Sequence, residues 1–142
     1  MKFRMFCAQH DEMAQVTRAI VEHVTDLTRG RALEADDPLP GLRWTLSRTV
    51  ANHCSAEVEL LRDHLQRNPQ IGIDRADMVR RYHDELLAWR SALMECNADW
   101  PPKRVTQEPS GFLDVFRPLA DALYQRIRWE EHEFYPKVLG RT

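Results

Sequence analysis

Several things this chain has little of narrow what it can do. Its three cysteines, Cys7, Cys54 and Cys96, are an odd number with no Cys-x-x-Cys spacing, so reduced thiols and a cytoplasmic setting are expected. Five glycines in 142 residues, and no run of alternating β-branched residues, leave little basis for a sheet. Charge of one sign is not in excess: 20 basic residues face 22 acidic ones, for a net charge of −2. The arginines are dispersed, and Arg80-Arg81 is the only tight pair away from the termini, so the basic face that nucleic-acid binding needs is missing. No apolar run approaches the ~18 residues of a membrane span. After Met1-Lys2-Phe3-Arg4, residues His10, Asp11 and Glu12 arrive too soon for the apolar core of a signal peptide.

What is present is helix-forming. Apolar residues make up 43%, and Ala, Leu, Arg and Glu dominate, which suits one all-α domain over residues 1–142. A first helix is predicted from about Arg4 to Arg29. Phe6, Met13, Ile20 and Leu27 recur every seven residues, with His10, Thr17 and Val24 between them, and Gly30 stops the helix. Asp37-Pro38 reads as the cap and first turn of a second helix, whose stripe is Leu46, Val50, His53, Glu57, Leu60 and His64. Asn68-Pro69 ends it, Gly72 falls in a loop, and Asp74 with Asp77 opens a third helix like a capping box. That helix turns Val79, Tyr82, Leu86, Trp89 and Leu93 to the core, with His83 beside them, until Trp100-Pro101-Pro102. A fourth carries Leu119, Leu123, Arg126, Ile127, Glu130 and Phe134 and finishes near Leu139. Pro118 marks either its first turn or a kink in a longer element starting near Gly111. Four amphipathic segments on short loops predict an antiparallel up-down-up-down four-helix bundle.

The two halves repeat at an offset of 73 residues. His10-Asp11-Glu12 recurs as His83-Asp84-Glu85, Glu57 falls on Glu130, and His53 falls on Arg126. Met13 pairs with Leu86, Ile20 with Leu93, Val50 with Leu123 and Leu61 with Phe134. This predicts two helical hairpins about a pseudo-two-fold axis, bringing His10, His53 and Glu57 of one together with His83, Arg126 and Glu130 of the other. Those positions lie on or beside apolar seams, where an unpaired charge is costly. Imidazoles and carboxylates around a bundle axis form a donor set suited to iron or another borderline divalent metal; the bland counterpart is a metal-free polar core in which the histidines and glutamates hydrogen-bond to one another and to Arg126.

At these residues the chain resembles the hemerythrin-like, or HHE cation-binding, family. The matching pieces are Gln9-His10-Asp11-Glu12, His53-Cys54-Ser55-Ala56-Glu57, Tyr82-His83-Asp84-Glu85, and Arg126-Ile127-Arg128-Trp129-Glu130-Glu131 followed by Phe134-Tyr135-Pro136, an ordered set spanning nearly the whole chain. The resemblance implies a non-haem iron centre of one or two ions, with His10, His53 and His83 as ligands, Glu57 and Glu130 as bridging carboxylates and Glu131 as the alternative bridge. One departure stands out. Arg126 occupies the place of the family's fourth-helix histidine, and a guanidinium cannot ligate a metal. The ligand set is therefore incomplete on that side, and Arg126 is positioned to supply the positive charge of a missing second ion.

The resemblance implies a non-enzymatic sensor or carrier of oxygen, nitric oxide or metal. A metal-free bundle serving as a regulatory or partner-binding module, and a metal-dependent oxidoreductase acting for instance on peroxide, are the alternatives. A homodimer is compatible with any of them. His23 and His64 read as ordinary helix residues, with His64 also placed to cap the bundle's end; His132 reads as solvent-facing, and Trp44, Trp89 and Trp129 as packing residues, Trp129 being a peripheral contact or part of a dimer face. Cys7 near His10, and Cys54 beside His53, lack the glycine-rich turn or oxyanion motif of a thiol nucleophile.

Overall fold

The computed structural model describes residues 2–30 and 37–140. Four long helices carry the architecture: α1 (Lys2–Thr28), α2 (Leu39–Arg67), α4 (Ala76–Asp99) and α6 (Pro109–Trp129), the last running on into a π-helical segment, Glu130–Leu139. Two short helices, α3 (Pro69–Asp74) and α5 (Pro102–Gln107), fill the connections between α2 and α4 and between α4 and α6. No strand occurs among the described residues.

Side-chain contacts fix the order. On α1 and α6, Arg18 lies over the ring of Tyr124, and Arg117 donates to the Thr25 hydroxyl, so the two helices run antiparallel. Between α2 and α4, Tyr82 meets Glu57, Asn97 donates to Ser47, and Arg43 reaches the Trp100 carbonyl. The same descending register links α4 to α6, where the Trp89 indole donates to the Leu119 carbonyl at 2.9 Å. The chain is an up-down-up-down bundle of two hairpins, α1/α2 and α4/α6. The core that closes it includes Phe6, Ile20, Val24, Leu39, Leu46, Leu61, Phe112, Phe134 and Val138, all nearly inaccessible to water.

The caps differ in detail from expectation. Asp37 accepts the Leu39 backbone N–H at 3.0 Å, but the N-cap of α2 is Pro38, one residue later than expected, and no side chain caps the helix. Asp74 caps nothing: it is the last residue of α3, and its carboxylate accepts from Gln70 instead, while Gly72 lies inside that helix. Pro118 sits within α6, which begins at Pro109, two residues before Gly111. Trp44 is a correction. It is 62% exposed at the surface of α2, with Arg48 lying over its ring. Trp89 is buried, and Trp129 makes a peripheral contact under Arg81.

The repeat holds for one row of each first helix and fails for the other. Met13 and Leu86, and Ile20 and Leu93, are buried as paired. On α1 the second buried row is His10, Thr17 and Val24, whereas on α4 it is Tyr82, Trp89 and Cys96. The two rows flank the shared one from opposite sides, so the α4 residues that match His10 and Thr17 in sequence, His83 and Arg90, turn away from the axis.

Candidate metal centre

Four titratable side chains meet near one end of the bundle: His10 from α1, His53 and Glu57 one turn apart on α2, and Glu130 at the start of the π-helical segment. Each is at most 3% exposed, and one ligand-type atom from each lies within 4.8 Å of all the others. His10 Nε2 is 3.0 Å from His53 Nε2 and 3.4 Å from Glu130 Oε1, and His53 Nε2 is 3.1 Å from Glu57 Oε2. Atoms bound about 2.1 Å from a single ion lie about 3.0–3.4 Å apart at octahedral to tetrahedral angles, so these separations fit neighbouring ligands as well as they fit hydrogen bonds in a metal-free cluster.

The outer faces of the two imidazoles decide what the inner faces can do. His10 Nδ1 is 2.7 Å from Glu131 Oε2, and His53 Nδ1 is 2.7 Å from Gln9 Oε1. Both partners are acceptors, so both Nδ1 atoms carry the proton, and a neutral ring then presents a bare lone pair at Nε2. Two such lone pairs and two carboxylates converging on one buried point require a cation or added protons. Fixing the tautomer through the distal nitrogen is the way proteins orient histidine ligands.

Without an ion, protons fill the role. Burial works against charging His10, yet contacts with Glu130, Glu131 and Glu57 outweigh it and raise the imidazole pKa above its usual 6.5. Burial also disfavours ionised Glu57, but hydrogen bonds from His53, Glu130 and Tyr135 hold it down at about 2. Glu130 is pushed the other way, first by burial and then by the charge of Glu57. The two carboxyls share a space in which only one ionises readily.

Three residues that sequence reasoning did not place in the site are there. The Tyr135 hydroxyl donates to Glu57 in a very short contact, and it lies 3.0 Å from Glu130 Oε1 and 3.3 Å from His10 Nε2. The Tyr82 hydroxyl donates to the other Glu57 oxygen at 2.5 Å. Gln9 orients His53, as described. Burial and the adjoining carboxylates raise both phenols well above their ordinary range. Tyr135 reaches the site because of the local helix geometry. In an α-helix, residues five apart point about 140° from each other, whereas a π-helix closes hydrogen bonds from i to i+5 and stacks them. Pro136, which lacks an N–H, lies within this segment and cannot support an ordinary α-helical ladder. The Phe134-Tyr135-Pro136 run was the only trace of this in the sequence.

Arg126 points inward, 7% exposed. Its Nε is 2.7 Å from Glu130 Oε2, its Nη2 donates to the Tyr82 carbonyl at 3.1 Å, and its guanidinium lies 4.9 Å from the Tyr82 ring centre. It takes the Glu130 oxygen that does not face His10 and supplies a positive charge there. A cavity of about 20 Å³ adjoins the donors, walled by Met13, Val50, Leu86, Leu123 and Ile127. That is room for a molecule the size of one water.

Two expected ligands are elsewhere. His83 is exposed on α4, edge-on to Tyr82, because Tyr82 takes the inward position and the next residue along a helix is rotated by about 100°. Glu131 lies behind His10 at its Nδ1, with its side chain 25% exposed, outside the four-residue cluster rather than bridging within it. His132 is exposed. The Cys54 thiol is buried, and burial with the nearby Glu57 charge pushes it up to about 12, which leaves it a poor nucleophile.

Comparison with protein-family models, with curated proteins and with solved structures gives no match to this chain. Fold and site together define a class all the same: a four-helix bundle with a buried His/His/Glu/Glu cluster able to hold a metal ion. No described helix is long and apolar enough to cross a membrane.

Proposed function

We propose that this chain is a hemerythrin-like protein that holds a single non-haem iron ion between His10, His53, Glu57 and Glu130. In this reading it is a non-enzymatic carrier or sensor of oxygen, nitric oxide or the metal itself. One observation carries the proposal. Both imidazoles commit their Nδ1 protons to outer acceptors, Glu131 and Gln9, and turn bare Nε2 atoms toward the same point as two buried carboxylates. Two nitrogen and two oxygen donors suit a borderline metal such as iron. Arg126 takes the place of a second ion, so the expected stoichiometry is one. The small apolar cavity beside the donors favours a ligand of one or two heavy atoms over a larger substrate.

One feature favours a metal-free core instead: Tyr135, Tyr82 and Arg126 together give Glu57 and Glu130 partners without any ion. Elemental analysis separates the two readings. Protein from iron-replete cells, and chelator-stripped protein reloaded anaerobically with iron(II), should carry close to one iron per chain. His53→Ala should carry none, and His83→Ala should carry as much as the unmodified chain. A folded wild-type protein that takes up no metal under either condition refutes the metal site and returns the metal-free reading. Undiminished iron in His53→Ala refutes the ligand assignment.

A further inference from the structure

Tyr135 is more than a neighbour of the four donors. Its ring is fully buried, held edge-on by Phe3 and stacked against His10, so its hydroxyl has little freedom to leave. Its oxygen stands 3.0 Å from Glu130 Oε1 and 3.3 Å from His10 Nε2, the same separations that relate the four donors to one another. A group that only braced a carboxylate would approach it from outside, as Tyr82 does at the far oxygen of Glu57. The Tyr135 oxygen faces the cluster side, touching three of the four donor residues, His10, Glu57 and Glu130.

We propose that the Tyr135 phenol oxygen is a fifth donor to the ion, and that it makes this a site for trivalent iron. The inference rests on reading His10, His53, Glu57 and Glu130 as a metal site, and among the roles proposed it favours handling of the metal itself, because reversible oxygen binding requires iron(II). On binding, the phenolic O–H bond breaks, an oxygen–iron bond forms, and the proton now given to Glu57 leaves to solvent; no electron is transferred. A bound cation of high charge inverts the acid–base preferences of the groups around it, which makes this exchange favourable.

Charge balance gives the valence. Buried Glu57 and Glu130, together with the quarter-exposed Glu131 behind His10, contribute three negative charges, and Arg126 cancels one, so with a neutral phenol the site balances a divalent ion. With a phenolate it balances a trivalent one. Uncompensated buried charge is strongly disfavoured, so the state of one oxygen couples to the oxidation state the site prefers. Phenolate is also a hard oxygen donor, matched to iron(III) and poorly matched to softer ions.

The test loads chelator-stripped full-length protein with iron(III) supplied as a weak chelate. Wild type should bind one ion per chain and show a tyrosinate-to-iron charge-transfer band in the visible. Resonance Raman excitation within that band should enhance tyrosinate ring modes. Tyr135→Phe should lose the band and bind iron(III) more weakly, on the order of tenfold to a hundredfold, while its uptake of cobalt(II) falls far less. Iron(III) bound to wild type without tyrosinate modes overturns the inference and leaves the four-residue site standing, and this measurement holds even if Tyr135→Phe fails to fold. A band that survives in Tyr135→Phe assigns the phenolate elsewhere and also overturns it. Failure of wild type to take up any metal overturns the site itself.

Discussion

Replacing Arg126 with alanine puts a number on how the bundle tolerates two carboxylates in its core. Both Arg126 and Glu130 are nearly inaccessible, and the Nε–Oε2 distance of 2.7 Å leaves no room for water between them. Removing one partner of a buried pair costs about 3–5 kcal/mol, because the other charge stays behind unpaired. Part of that loss has a ceiling. Glu130 can take up a proton, and at pH 7 the work of protonating a carboxyl of ordinary pKa 4.5 is about 3.4 kcal/mol, at 1.36 kcal/mol per pH unit. Losing the guanidinium's position over the Tyr82 ring adds about 1 kcal/mol. The expected loss for Arg126→Ala in metal-free buffer is therefore about 3–5 kcal/mol at pH 7. At pH 5 the protonation ceiling falls to about 0.7 kcal/mol, so the deficit should shrink substantially there. Urea denaturation of chelator-treated wild type and variant at both pH values measures it. A loss under about 1 kcal/mol at pH 7, or a deficit that grows on acidification, refutes the buried-pair account. Arg126→His, which places an imidazole at this position, should raise iron uptake above that of wild type in a parallel titration.

Three further outcomes follow from the same geometry. Glu131→Gln weakens the acceptor that fixes His10, so metal affinity should fall about 10–100-fold while the fold is retained; titration with a competing chelator reads this, and unchanged affinity contradicts the role given to Glu131. Gly111→Ala would place a Cβ 2.7 Å from Cη2 of the buried Trp100, and thermal or urea unfolding should register about 1–3 kcal/mol of overpacking. In the metal-free protein, the raised pKa of His10 contributes stability that is complete below pH 6.5 and lost as pH rises through its folded value, and Glu130 acts in the same sense starting from 4.5. Glu57, lowered to about 2, contributes stability present above pH 4.5 and lost as pH falls through 2. Stability should decline as pH rises above 6.5 until His10 has lost its proton, and a rise over that interval would contradict these assignments.

Much of this arrangement was legible in seven-residue spacing. Phe6, Met13 and Ile20 on α1, and Leu46, Val50, His53 and Glu57 on α2, keep α-helical phase from residue to residue, so their burial followed directly. The inward turn of Arg126 followed from the match with His53. His83 did not follow, because the tripeptide identity with His10 carries no information about which flank of the shared row faces the axis. Tyr82, a larger apolar surface with a hydroxyl that reaches Glu57, wins the inward place. Tyr135 was hidden for a different reason: α-helical counting from Glu130 turns it away, and only a local change of helix type returns it. Gln9 went unnoticed because an amide beside a histidine carries no spacing signature of its own.

The π-helical run also bears on how firmly this end of the molecule is held. Pro136, which lacks an N–H, removes a rung from the internal ladder of the last ten helical residues. Their anchorage comes instead from what they grip: Glu130 and Tyr135 at the cluster, Glu131 at His10, and Phe134 stacked on Tyr82. Fraying of this tail and dismantling of the donor set are therefore one event. A ligand that engages Glu130 must hold back that fraying by its own binding free energy, so occupancy of the centre is written into the hydrogen-exchange rates of the segment that ends the bundle.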